Sequence, residues 1–359
     1  MENKGLYIHI PFCAHICAYC NFARVIYNDN RARLYLEELK KEIADKVDFS
    51  CVDTIYIGGG TPTALDDDLL EDLLAYIYHH KSNFLEYTIE INPETLTLSK
   101  AKLLSKYGVN RCSVGVQSTD GNLLKLMNRK HTYSDVIKAI QILKDCGIAN
   151  ISCDLMYSLP TQTITSLQKD LNNILALGIK HLSIYSLTIE KNSIFNRLGY
   201  QHLDEEVEAD MYELIVETLK KYGFNQYEVA NFSLPNYESK HNLHYWNYDD
   251  FYGLGVGASG KINDQRYENT RNITKYLKGD YCDDTIELSD GDLMFENIMM
   301  SFRTMFGLDL LKFKQRYHRS FFDVYNQAYQ KNINYFKLEN NHLICIERNI
   351  LNTILTDFL

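Results

Sequence analysis

Six short β-rich runs, spaced along the first half of the chain with amphipathic stretches between them, limit the fold more than any other feature. They are GLYIHI (5–10), DTIYIGG (53–59), EYTIEIN (86–92), RCSVGV (111–116), ISCDLM (151–156) and HLSIYSL (181–187). Each reads as a buried parallel strand. The intervening stretches, such as DDDLLEDLLAYIYHH and TITSLQKDLNNILALG, repeat apolar residues at spacings of three and four, as helices covering a sheet do. Strand, helix, strand repeated about six times predicts an α/β fold with a parallel sheet, open or curled into a partial barrel. In such folds the loops leaving the C-terminal ends of the strands build the site. The informative motifs fall there: cysteines after the first run, GGGTP after the second, Asn92 and Pro93 after the third, and Gln117 after the fourth.

Past residue 190 the pattern changes to a long acidic helix (about 203–222), a strand-like QYEVANF, the aromatic stretch HNLHYWNYDDFYGLGVGASG, and a charged helical tail from about 285. The expected division is a core over 1–190, an extension over 191–284 and a small helical domain over 285–359, with NHLICIE as a hairpin or wing strand. With 37 Lys and Arg against 47 Asp and Glu, the net charge is -10. That balance argues against a main role in gripping nucleic acid. No apolar run reaches the roughly 18–20 residues of a membrane span. The N-terminal MENKGLYIHIPFC lacks the basic and apolar sections of a signal peptide. A cytoplasmic chain without a transmembrane segment is expected, which leaves peripheral membrane contact open.

Three of the nine cysteines, Cys13, Cys17 and Cys20, crowd into one loop with the spacing C-x3-C-x2-C. In a reducing compartment clustered thiols read as metal ligands and scattered ones as small buried hydrophobes. Three thiolates on one short loop suit an iron-sulfur cluster with one iron left open, which can bind and reduce a substrate. The alternative is tetrahedral zinc with His15 or a distant thiol as fourth ligand, but no second C-x2-C or H-x3-H module accompanies the loop. The run Gly58, Gly59, Gly60, Thr61, Pro62 is neither a dinucleotide fingerprint nor a P-loop, and by itself reads as a tight turn.

Together these residues resemble the radical SAM superfamily. That resemblance implies a [4Fe-4S] cluster on Cys13, Cys17 and Cys20, with the open iron chelating S-adenosylmethionine, and a partial (β/α)6 barrel. It also implies that Gly59, Gly60 and Thr61 meet the methionyl group. Within the superfamily the chain resembles the branch of oxygen-independent coproporphyrinogen oxidases and HemW-type haem chaperones, whose C-terminal domain is winged-helix-like. The resemblance implies S-adenosylmethionine contacts for Tyr7 in LYIHIPFC, Glu90 in TIEINPE, Gln117 in VGVQS, Arg129 in MNRKH and Asp154 in CDLMYSLP. Carboxylates suit ribose hydroxyls and an amino group, and Arg129 suits a carboxylate. Each residue taken alone reads equally well as a strand-end structural hydrogen bonder.

Two departures point away from the oxidases. Phe22 stands where they carry a further cysteine, and only twelve residues precede Cys13 where they have a longer arm. His241, Asn242, Tyr245 and Trp246 in HNLHYW match the H-N-x-x-Y-W motif of the haem chaperones, which implies His241 as a haem-iron ligand. Without the resemblance, Trp246 would fill the core and His241 would hydrogen-bond there. In GLGVGASG, Ser259 replaces an expected histidine, which makes His244 the substitute candidate for a second axial ligand. The branch implies haem delivery to haem-accepting proteins such as respiratory haem enzymes, and an electron donor such as flavodoxin or ferredoxin. Whether the chain is itself an enzyme is left open; a porphyrinogen decarboxylase is the alternative function.

Overall fold

The computed structural model describes residues 3–81, 83–191 and 193–359. Strand β1 (Lys4–Ile10) runs into a two-residue strand, β2 (Phe12–Cys13), which pairs in parallel with β3 (Val25–Ile26). Five further strands follow, separated by helices: β4 (Val52–Gly59), β5 (Glu86–Ile91), β6 (Arg111–Gln117), β7 (Asn150–Tyr157) and β8 (His181–Ser186). They pair in parallel in the order β1-β4-β5-β6-β7-β8, so the six expected strands all form, each within a residue or two of its predicted ends. Helix starts are set by local chemistry: Thr132 with Asp135, and Thr163 with Ser166, form capping boxes.

The chain after residue 190 is woven into both edges of this sheet. The short β9 (Asn225–Gln226) and β10 (Asn231–Ser233) add antiparallel strands beside β8. At the other edge, β11 (Phe251–Leu254) lies parallel to β1. It leads into antiparallel β12 (Ser259–Ile262), β13 (Gln265–Asn269) and β14 (Cys282–Glu287), giving twelve strands in all. Gly253 permits that close layer, since a Cβ there would lie 1.7 Å from the Ser259 carbonyl oxygen.

The central strands are not apolar on both faces, as their composition suggested. Leu6, Ile8 and Ile10 of β1, Ile55 and Ile57 of β4, and Cys112, Val114 and Val116 of β6 pack into the main core beneath the helices. Their alternates point to the concave side and are polar: Tyr7 aligns with Tyr56, Tyr56 with Thr88 and Thr88 with Arg111, while Gly115 aligns with Asp154 and Asp154 with Ser183. A closed barrel fills its interior with branched apolar side chains. This incomplete barrel instead keeps a polar lining.

The C-terminal residues form four helices, the first being Asp290–Ser301. With them goes a three-stranded sheet of β15 (Leu308–Asp309), β16 (Phe336–Glu339) and β17 (His342–Cys345), in the order β15-β17-β16. They enclose a separate core around Phe302, Phe313, Phe321 and Leu343. Among the described residues no helix is long and apolar enough to cross a membrane.

Candidate functional site

Backbone bonds draw the two ends of the cysteine loop together. Besides the ladder between β2 and β3, the Val25 amide donates to the Pro11 carbonyl (2.7 Å) and the Tyr27 amide to the Cys13 carbonyl (2.9 Å). The loop is also pinned to the segment after β6: the Ala18 amide donates to the Met127 carbonyl (3.0 Å), and the Asn128 side chain to the Ile16 carbonyl (2.7 Å). Arg129 leaves that segment and reaches within 3.6 Å of the Cys17 sulfur while also bonding Asn92 (2.9 Å). Burial works against the Cys17 thiolate, but donors from His15 and Arg129 hold its thiol below the ordinary value. Burial pushes the Cys13 thiol up to about 12. Among the described residues no three His, Cys, Asp or Glu side chains converge on one metal ion. Besides facing the Cys17 thiol, His15 lies 3.5 Å from Glu94, which takes His131 on its other oxygen at 3.4 Å. The donor set fits a multi-iron cluster spread over three thiols. Beside it the buried Nε of Arg129 has no partner, an atom still available to a ligand.

The glycine turn abuts this loop. The Gly60 amide donates to the Ile10 carbonyl and the Thr61 amide to the Phe12 carbonyl, both at 2.8 Å. Gly59 has φ of +110°, and a Cβ there would meet the His9 ring at 2.4 Å. The Thr61 hydroxyl faces the Cys13 sulfur at 3.9 Å and accepts from Asn92 at 2.9 Å. Glu90 accepts from the Gly59 amide (3.0 Å) and the Tyr56 hydroxyl (2.9 Å). Burial, reinforced by the neighbouring Asp154, still pushes its carboxyl up to about 7. Burial likewise raises Asp154, which accepts from the Ser113 hydroxyl at 2.9 Å. Gln117 ends β6 in the left-handed region (φ 66°), where the ladder to β7 slips by a residue. Tyr7 bonds His9 Nδ1 (2.9 Å) and lines a cavity of about 310 Å³ with Phe22, Tyr245 and Ser259.

The opposite end of the barrel is closed by the helix Lys240–Trp246, which carries HNLHYW. Glu86, at the start of β5, accepts from the Ser239 hydroxyl (3.0 Å) and from the Lys240 (2.8 Å) and His241 (3.0 Å) amides, fixing the helix start. His241 is fully buried beneath β1 and β4, with Nδ1 on the Thr54 hydroxyl (3.0 Å) and Nε2 on the Tyr245 hydroxyl (2.7 Å). Burial, with the charge of His244 adding to it, lowers its ring to about 3, so it is neutral. In this conformation both nitrogens are engaged, and iron ligation requires Tyr245 to leave Nε2. The substitute ligand candidate, His244, has both ring nitrogens engaged by carboxylates. It sits between Asp53 (2.8 Å) and Asp249 (3.3 Å), and although burial opposes its charge, those carboxylates lift it to about 9. An imidazolium has no lone pair for iron.

With both ends described, the chain can be set beside known proteins. The radical SAM superfamily signature matches residues 7–174, and the HemN C-terminal domain matches residues 288–352. The protein named Heme chaperone HemW from Lactococcus lactis subsp. lactis is 38% identical over 95% of this chain and 92% of its own length. This chain belongs to the HemW family. The Bacillus subtilis protein of the same name is 36% identical, over 88% of each chain. The structure of coproporphyrinogen III oxidase (HemN) from Escherichia coli shares the fold, with a TM-score of 0.85 at 21% identity, covering 99% of this chain and 90% of that one.

In this HemW-family chain the structure brings Cys13, Cys17, Cys20, Gly59, Gly60, Thr61, Glu90 and Arg129 into one neighbourhood, with Asp154 and Tyr7 facing the same concavity. His241 stands apart from them on the barrel floor. Sequence reasoning named Asn92, which joins Thr61 to Arg129, as a strand-end motif residue without giving it a role, and it missed two site residues: His9, bonded to Tyr7 and to the Ala23 carbonyl (2.8 Å), and Tyr56, on Glu90. The signal was present: each is polar and sits at alternate spacing within, or just after, a strand otherwise made of isoleucine.

Proposed function

We propose that this chain is a haem chaperone on a radical SAM scaffold, which binds haem and passes it to haem proteins. The observation that carries this reading is nearly full-length identity of 36–38% to proteins named heme chaperones. In it Cys13, Cys17 and Cys20 supply three thiolates to a [4Fe-4S] cluster, and Gly59, Gly60 and Thr61 line the path of the S-adenosylmethionine backbone. The buried, unpartnered Nε of Arg129 is oriented for a carboxylate, Glu90 and Asp154 for hydroxyl and amino donors, and Tyr7 and Gln117 complete the wall. When bound, such a cluster supplies the electron that cleaves the sulfonium ligand. An external donor of the flavodoxin or ferredoxin kind belongs to this reading, as does a cytoplasmic setting.

The test is anaerobic purification with iron and sulfide analysis, where about four of each per chain are expected. Cys17→Ser should lose them; stoichiometric zinc without sulfide would overturn the cluster. Haem titration into the wild type and His241→Ala then tests the chaperone reading. His241 serves as an iron ligand only with the Tyr245 hydroxyl displaced, so an unchanged spectrum in the variant removes it. The fold shared with HemN favours porphyrinogen decarboxylation as the second reading. That reading requires 5'-deoxyadenosine formation coupled to porphyrinogen turnover, and its absence would dismiss it.

A further inference from the structure

Outside the barrel, the floor helix and the first helix of the C-terminal domain face each other across a cleft of about 700 Å³. That is the size of a cofactor pocket, which spans roughly 300–1,000 Å³. One wall is aromatic, with Tyr245, Trp246 and Phe251. The other is a half-buried face of Asp290–Ser301 and the turn after it, where Glu296, Met299, Met300 and Arg303 follow at helical spacing.

Charge distribution distinguishes Arg303 from the other cations here. Arg266 pairs with Glu296, and Lys261 with Asp250 at 2.8 Å. Arg303 is half-buried, donates to the Met299 carbonyl (2.6 Å) and to Asn352 (3.2 Å), and has no carboxylate partner among the described residues. An uncompensated guanidinium at the rim of an aromatic cleft suits an anionic, flat, apolar ligand. The two thioethers beside it are soft donors of the kind that ligate haem iron. Tyr245 and Phe251, packed edge to face at 4.6 Å, also border the smaller cavity that contains Tyr7, so one aromatic layer separates the two spaces.

We propose that this cleft is the haem seat in the conformation described, with Met299 or Met300 on the iron and Arg303 on a propionate carboxylate. The inference rests on the haem-chaperone reading and goes beyond it by moving the ligand from the buried His241 to the C-terminal domain.

The test titrates ferric and ferrous haem, and metal-free protoporphyrin as a second probe, into full-length wild type, Met299→Leu/Met300→Leu, Arg303→Gln and His241→Ala. Absorption and magnetic circular dichroism read the axial ligand, and the iron content at the cysteine loop reports that each variant is folded. The expected result is a thioether signature in the wild type and in His241→Ala that disappears in the double leucine variant, which still binds metal-free protoporphyrin. Arg303→Gln should weaken both probes by about ten- to a hundredfold, the loss of one charge-assisted bond. Haem binding with an imidazole signature lost only in His241→Ala, or binding unchanged in all variants, would overturn the cleft while leaving the chaperone reading intact. Absence of haem binding by the wild type would overturn that reading itself.

Discussion

The two ends of the barrel are built from the same strands but treat their polar groups in opposite ways. At the mouth, the buried Arg129 Nε is left without a partner, and His15 and His131 meet the two oxygens of Glu94 only at 3.5 and 3.4 Å, outside hydrogen-bond geometry. On the floor nearly every such group is taken up. Glu86 receives three donors, His241 uses both nitrogens, and His244 spans two carboxylates; Arg111 Nε, 3.9 Å from Glu86, is the exception. A buried polar group without a partner is costly, so it persists where something else binds. The mouth therefore reads as a site and the floor helix as a plug, with the proposed haem cleft on the outer side of that plug.

The strongest challenge to this contrast is Glu86→Ala. It uncaps the floor helix and leaves the buried Arg111 uncompensated, so a loss of about 3–5 kcal/mol in urea unfolding is expected. A loss under ~1 kcal/mol would mean the floor is not structural. Next comes His244. Its folded value of about 9 lies above the ordinary 6.5, so its contribution is complete below pH 6.5 and disappears as pH rises through 9. It faces Asp53 and Asp249, the latter also held by Arg316 at 3.1 Å, with the neutral His241 ring on the same helix. Wild type should lose roughly 2 kcal/mol of stability between pH 7 and 10, and His244→Gln should flatten that slope. The smallest effect belongs to Glu90, whose carboxyl near 7 is neutral in acid and charged above neutrality. S-adenosylmethionine affinity, followed by calorimetry, should rise about tenfold from pH 6 to 8. Glu90→Gln should abolish the rise, and a rise that survives would remove Glu90 from the ligand's contacts.

The parallel strands were legible because each is a compact run with its own turn residues, and the mouth because its motifs sit at strand ends. The polar lining was harder to see, since Tyr56 between Ile55 and Ile57, or Glu90 between Ile89 and Ile91, barely interrupts an apolar average. Pairing of β11 with β1 was beyond a linear reading; Phe251 meets Gly5 across most of the chain. HNLHYW was found as a motif, but its burial depends on Thr54 and Glu86, which lie far away in sequence. The imidazolium of His244 is likewise the work of Asp53, on a strand 191 residues earlier.

The ladder of Phe12–Cys13 with Val25–Ile26 bears on how the metal enters. In the proposed cluster reading, this backbone clasp holds the ends of the loop independently of iron, so the metal-free chain is expected to keep the loop's shape and to be reloadable. Limited proteolysis should therefore leave residues 14–24 of the metal-free chain as resistant as those of the loaded one.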